Sequence, residues 1–337
     1  MEIQVIINIL NNNLITNICR YYLLNKAGCL PKILVAVKWG DQKSENEFLL
    51  NILKKWTNIQ VGDILFMLSF KFCMNNLYSN KVIHPKLQEV RSFAVKSLEA
   101  VENKELNFIL LQLVQALRYE DLNPSSELRK YLIDRCKKDI NLATSLCWFL
   151  NVEAEMDIPN NKKSIGSNQV IKFYQDILIE FKSSLEKHID DQINSQITLR
   201  NKMISNALDL DKYGSAKDRK NRLISITKKD GANDMSKFHP QLQLPLNPEI
   251  ILQGIIADQS QVFKSAKKPV KYTCKVAPES NISVVYRDDP SLYDIIFKYD
   301  DDLRKDQLIL QIISYIDSLL KRVGMDFEFT KYKVIYI

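Results

Sequence analysis

The apolar residues of this 337-residue chain change their period once, and that change does most to limit its fold. From about residue 30 to 155 the period is helical. Leu49, Leu50, Ile52, Leu53 and Trp56 share one face, and Leu106, Ile109, Leu110, Leu113, Val114 and Leu117 form a stripe at three- and four-residue spacing. Leu142, Leu146, Cys147, Phe149 and Leu150 form a third stripe. Short polar breaks at Gly40-Asp41, Asn103-Lys104 and Asn123-Pro124-Ser125-Ser126 separate them, which predicts stacked helix pairs in an α-solenoid-like layer. No strict repeat recurs at a fixed period. Residues 156–168 read as a loop, and a more polar helical region runs on to about residue 226. Its basic run, Lys217-Asp218-Arg219-Lys220-Asn221-Arg222, reads as a solvated helix face.

After residue 240 the pattern shortens to runs of alternating residues. The segment LQLPLNPEI, with two prolines, reads as a linker entering a sheet. Strands are expected at Ile250–Ile256, Val270–Val276, Ile282–Tyr286 and Leu292–Lys298. One helix over about 302–322 follows, with Leu308, Ile312, Ile313, Ile316, Leu319 and Leu320 on its apolar face and Gly324 placed to end it. A last strand begins near Phe329 and stops at Ile337, which reads as a truncation. The expected fold is therefore mainly α with a small α+β part, an antiparallel sheet plus one helix.

Composition narrows the function classes. With 8 Gly and 10 Pro, a fold of many tight β-turns is disfavoured, and the apolar share of 46% is enough for a large core. The net charge of +7 suits an anionic surface better than dedicated nucleic-acid binding, so no nucleic-acid partner is expected. Cys19, Cys29, Cys73, Cys136, Cys147 and Cys274 include no CxxC spacing, and His84, His188 and His239 are scattered. That favours reduced thiols over a zinc site or a disulfide framework. The first residues are apolar but lack a basic start and are broken by Asn11, Asn12 and Asn13, a poor signal peptide. No run reaches the roughly 18 apolar residues of a transmembrane helix.

Nucleophilic chemistry has no visible constellation, and metal chemistry has no clustered ligands except the acidic residues at 300–302 and 306: there is no GxGxxG, Walker loop, GxSxG or HExxH. The informative stretch is IIFKYDDDLRKDQLILQIISYIDSLLKR at 295–322. Lys298 follows three apolar residues at the end of a strand, a costly place for a cation unless it meets an anion. In phosphoryl transfer, a strand-borne lysine contacts nucleotide phosphates and is held by a nearby carboxylate, here Asp301 or Asp306. The bland reading is an edge-strand lysine before an acidic helix start. Upstream, Val262-Phe263-Lys264-Ser265-Ala266-Lys267-Lys268-Pro269 joins two strands and offers a hydroxyl, lysines and backbone N–H groups to a phosphate, without the usual glycines.

FKYDDDLRKDQLILQII resembles the FKxGDDLRQDQLxLQII signature of phosphatidylinositol 3- and 4-kinases, most closely the class III (vacuolar-type) phosphatidylinositol 3-kinases. LPLNPEIILQGIIADQSQVFKSAKKPVKYTCK and FEFTKYKVI resemble the same lobe. RYYLLNKAGCLPKILVAVKW, VRSFAVKSLE, ELNFILLQLVQALRYE and NLATSLCWFLNVEAE resemble the family's accessory helical domain. The resemblance implies an unmatched segment at 1–19, an accessory helical (PIK) domain at 20–175, linking helices at 176–240 and an incomplete kinase N-lobe at 241–337.

It also implies roles. Lys298 is similar to the lysine that contacts the ATP phosphates, and Asp306 to the helix aspartate near it. Ser265 and Lys267 resemble phosphate-loop contacts, Phe263 and Ile296 the apolar walls around the adenine, and Tyr332 the tyrosine that closes the pocket. The family transfers the ATP γ-phosphate to the inositol 3-hydroxyl of phosphatidylinositol with Mg or Mn. Its class III member works with a regulatory pseudokinase-like subunit in endosomal and autophagic complexes, which implies a peripheral protein on those membranes. Asp300 stands where the signature has Gly, and Lys305 where it has Gln. The stretch from Cys73 to Lys86 is longer than expected. The hinge, DRHxxN loop, DFG ligand and activation loop are not among these residues, so no catalytic or metal-binding residue is assigned and the chain alone is expected to be inactive. The alternative is a non-catalytic short form whose helical layer is an interaction scaffold.

Overall fold

The computed structural model describes residues 26, 28–37, 39–42, 46, 49, 52–73, 86–120, 125–155, 165–280, 289–329 and 332–336. The segment 1–19, most of the Cys73–Lys86 stretch and the strand expected at Ile282–Tyr286 lie outside them, as does residues 156–164 of the expected loop. The chain divides into two compact units, residues 1–136 with 149–180, and residues 137–148 with 181–337.

The first unit is helical. It contains α1 (Leu30–Ala36), α2 (Val61–Met67), α3 (Leu87–Ser97), α4 (Asn103–Ala116) and α5 (Glu127–Cys136). In α4 the stripe read from the sequence is the buried face: Leu106, Ile109, Leu110, Leu113 and Val114 are all inside. At the start of α2 the Gln60 N–H donates to the Asp63 carboxylate, satisfying a donor that the first turn leaves open. A buried charge ties the helices together. The Arg91 guanidinium pairs with Glu120 and donates to the carbonyls of Leu68 and Phe72, while the Ser126 hydroxyl donates to the other Glu120 oxygen. Arg91 is 1% exposed, so removing one partner would strand a buried charge, a loss of about 3–5 kcal/mol.

Two helices follow in sequence, α6 (Ile140–Glu155) and α7 (Ile165–Ser183). The second unit then contains α8 (Lys187–Leu210), α9 (Ala216–Thr227), β1 (Leu242–Leu244), β2 (Asn247–Ile255), β3 (Gln261–Val262), β4 (Val270–Val276), β5 (Leu292–Phe297) and α10 (Arg304–Arg322). The strands form one antiparallel sheet in the order β1-β2-β4-β3, with β5 also paired to β4. One sheet face packs Leu252, Tyr272, Cys274 and Ile295 against Leu199, Met203 and Leu223 of α8 and α9. β1 is an edge strand, and α8 covers that edge with side-chain amides. Gln192 donates to Gln241 O and accepts from Gln243 N, and Gln196 donates to Gln243 O while accepting from the Trp148 indole. Two glutamines thus satisfy an edge that would otherwise invite another strand.

The structure departs from the sequence reading in four places. LQLPLNPEI is no linker: it forms β1, a tight turn through Pro245-Leu246 and the start of β2, with Leu244 opposite Asn247. Proline is tolerated there because the turn and the strand start demand no ladder N–H from it. The basic run on α9 is only partly solvated. Arg219 is buried and donates to the carbonyls of Tyr213 and Gly214, and Arg222 pairs with Asp209 at 2.6 Å. The strand expected from Phe329 does not form among the described residues; Tyr336 N donates to the Gln307 side chain instead of to a ladder. Finally, α10 ends at Gly324 (φ 80°) as expected, but of its expected apolar face Leu308, Ile312, Ile316 and Leu319 are exposed and Ile313 and Leu320 half-buried, while Gln307 and Asp317 are buried.

Candidate functional site

The open end of the sheet brings together the two stretches singled out in the sequence. β3 and β4 are joined by a hairpin whose turn is closed by Lys268 N donating to Ser265 O at 2.9 Å, with Phe263 N donating to Pro269 O at 2.9 Å. Lys268 takes φ 44° to complete the turn. Val270 sits opposite both Val262 and Phe297, so the hairpin turn and the segment leaving β5 emerge at the same end of the sheet. The sequence folds locally this way because β4 alternates. Val270, Tyr272 and Cys274 point into the core, and burial pushes the Tyr272 hydroxyl and the Cys274 thiol up.

The other face of β4 and β5 carries charge. Lys271 is opposite Ile296, and Thr273 is opposite Asp294. Ile296 lies on this outer face, and Lys298 follows directly after β5. The Lys298 Nζ is 3.5 Å from Asp301 Oδ2. Lys271 Nζ is 3.2 Å from Asp294 Oδ2, and the Thr273 hydroxyl donates to Asp294 Oδ1 at 2.7 Å. Next to them, Lys267 Nζ donates to Asp300 O at 2.5 Å and to Asp300 Oδ2 at 3.2 Å. Lys268 pairs with Asp211, which that ammonium holds below the usual carboxylate range. Asp302 accepts from Arg304 N and from its guanidinium, which pulls the Asp302 carboxyl down to about 2.

Four lysines near one end of a small sheet each pair with their own aspartate; Lys268 does so on the helix-covered side, through Asp211 just past α8. The more exposed pairs, Lys267–Asp300, Lys268–Asp211 and Lys298–Asp301, are of a kind worth only about 0–1 kcal/mol each, whereas Lys271–Asp294 is mostly buried. Among the described residues no group of three His, Cys, Asp or Glu side chains lies close enough to hold a metal ion. Ammonium groups are suited to oxyanions, to which they give charge-assisted hydrogen bonds.

Of the residues singled out in the sequence, the structure joins Lys298 to Asp301 and Lys267 to Asp300. Asp306 is exposed in the first turn of α10 and makes no ion pair with Lys298. Ser265 contributes its carbonyl to the hairpin turn. Phe263, Ile296 and Tyr332 are 39%, 56% and 64% exposed, and no hydrogen bond or ring contact links them. Lys271, Thr273 and Asp294 were missed. The signal was available in KYTCKV, where every second residue is polar.

Comparison with known proteins covers both units. A model of the phosphoinositide 3-kinase family accessory domain (PIK domain) matches residues 6–194, and a model of phosphatidylinositol 3- and 4-kinase matches residues 292–337. The chain is similar to phosphatidylinositol 3-kinase pik3 of Schizosaccharomyces pombe, 31% identical over 327 residues that cover 94% of this chain and 36% of that protein. It is similar to the root isoform of phosphatidylinositol 3-kinase of Glycine max, 28% identical with 94% and 36% covered. It is also similar to phosphatidylinositol 3-kinase VPS34 of Saccharomyces cerevisiae, 26% identical with 94% and 38% covered. The chain thus spans little more than a third of the length of these relatives.

Proposed function

This chain belongs to the phosphoinositide 3-kinase family, and we propose that its sheet end is the nucleotide-phosphate face of a phosphatidylinositol 3-kinase. In this reading the whole protein transfers the ATP γ-phosphate to the inositol 3-hydroxyl of phosphatidylinositol. It acts as a peripheral protein on endosomal and autophagosomal membranes, with a regulatory pseudokinase-like subunit and other complex subunits. The division into an accessory helical domain at 20–175, linking helices at 176–240 and a kinase N-lobe at 241–337 belongs to the same proposal.

One observation carries it: Lys298 leaves β5 at the end of the sheet where the hairpin lysines emerge, with the Asp301 carboxylate 3.5 Å away to orient it. Lys298 and Lys267 would take the phosphate oxygens, and Ser265 would add a hydroxyl. Ile296, Phe263 and Tyr332 would supply apolar surface beside the adenine, and Asp306 would lie behind the phosphates. ATP arrives with a divalent metal, Mg or Mn, which would neutralise phosphate charge; nothing in these residues gives that metal its ligands. No DRHxxN loop occurs within the 337 residues, so this chain is expected to bind nucleotide without transferring phosphate to lipid.

Photo-cross-linking the 337-residue chain with an azido-ATP, followed by peptide mapping, tests the reading. Labelling should fall on peptides covering Phe263 to Lys268 and Ile296 to Asp301, and Lys298→Ala should abolish it. Label spread over the helical unit, or unaffected by Lys298→Ala, would contradict it.

A further inference from the structure

We propose that Asp300 is a built-in competitor for the anion that Lys267 is placed to bind, and so sets how tightly this end of the sheet accepts a polyphosphate. The proposal rests on the nucleotide reading above. Asp300 has φ 54°, in the left-handed region where a side chain is strained and glycine is not. The related kinase signature has glycine at this position. Aspartate is among the residues that tolerate this conformation, and here it directs the residue's oxygens to a single partner. The same turn aims both the carbonyl oxygen and the carboxylate of Asp300 at one ammonium, Lys267 Nζ, at 2.5 and 3.2 Å.

The neighbouring residue repeats the device. Asp301 faces Lys298 at 3.5 Å, so consecutive carboxylates of one turn occupy both lysines assigned to phosphate. A carboxylate offers an ammonium the same charge-assisted acceptor that a phosphate does. The Lys267–Asp300 pair is exposed, at 52% and 83% of the two side chains, so it is weak enough to be exchanged. After the exchange the Asp300 charge remains beside the incoming anion. One like charge about 6 Å away, at an effective dielectric between that of water and half of it, lowers affinity about three- to tenfold.

The test uses the full 337-residue chain with inorganic tripolyphosphate as probe, and reads protection of Lys267 from a limiting amine-acetylating reagent by peptide mass spectrometry. Asp300→Gly and Asp300→Asn should both move half-protection to about three- to tenfold lower tripolyphosphate. Both should also acetylate faster than the native chain at Lys267 when no anion is present. Lys202, which donates to the Asp234 carbonyl away from this turn, serves as internal reference and should not change. Equal half-protection in native and variant chains would overturn the proposal. So would a shift in Asp300→Gly without one in Asp300→Asn, which would assign the effect to the backbone rather than to the charge. The nucleotide reading fails separately: if ATP protects neither Lys267 nor Lys298 better than tripolyphosphate does, that reading falls while the tripolyphosphate shift still stands.

Discussion

The two faces of strand β4 are built on opposite terms. The inner face, Val270, Tyr272 and Cys274, is fully packed, and the Tyr272 hydroxyl accepts from the Asn206 amide at 3.2 Å. The outer face is polar: Thr273 is buried and donates to Asp294 across from it, and the half-buried Lys271 pairs with the same carboxylate. Packing fixes the inner face to one arrangement, because voids and unpaired polar groups there are expensive. The Lys271–Asp294 pair on the outer face is reached by some solvent and is held less tightly than the packed side chains. The same strand therefore carries a packed apolar side and a polar side.

That contrast can be broken from either side, and the largest effect lies inside. Tyr272→Ala should destabilise the sheet by about 3–5 kcal/mol, the usual loss for a large buried ring, read as a drop in the denaturant midpoint. On the outer face, Lys271→Met should change stability by less than about 1 kcal/mol, yet weaken ATP binding measurably by calorimetry. If both substitutions destabilised equally, the two faces would not differ as argued.

The smallest effect concerns Asp302. Its carboxyl is pulled to about 2 by the Arg304 guanidinium and backbone N–H, below its ordinary value. The linked stability is present above the ordinary carboxylate range and is lost as pH falls through about 2, and solvent screening keeps it small. A carbon-detected NMR titration of Asp302 should show this low midpoint in the native chain and a return toward the ordinary value in Arg304→Ala.

Much of this was legible in the sequence for a physical reason. The helical stripe of Leu106 to Val114 and the alternation of β4 were visible because burial imposes their periods. Gly324 announced the end of α10 through its backbone freedom. The hairpin hidden in LQLPLNPEI was not visible, because two prolines signal a turn without saying that strands flank it closely. Arg219 and Arg222 looked solvated because a charge run does not reveal which members find a carbonyl or a carboxylate. At the candidate site, Lys298 and the hairpin were readable as residue types. The pairing of Lys267 with Asp300 was not, since it depends on a left-handed backbone and a contact across 33 positions.

The central claim is that the end of the sheet at Lys298 binds nucleotide phosphates. Calorimetric titration of the purified 337-residue chain with ATP, beside Lys298→Ala, tests it most directly. Measurable binding by the native chain is expected, falling at least about tenfold in Lys298→Ala, as loss of a charge-assisted contact to phosphate requires. Equal ATP affinity in the two proteins, with both folded by circular dichroism, would contradict it.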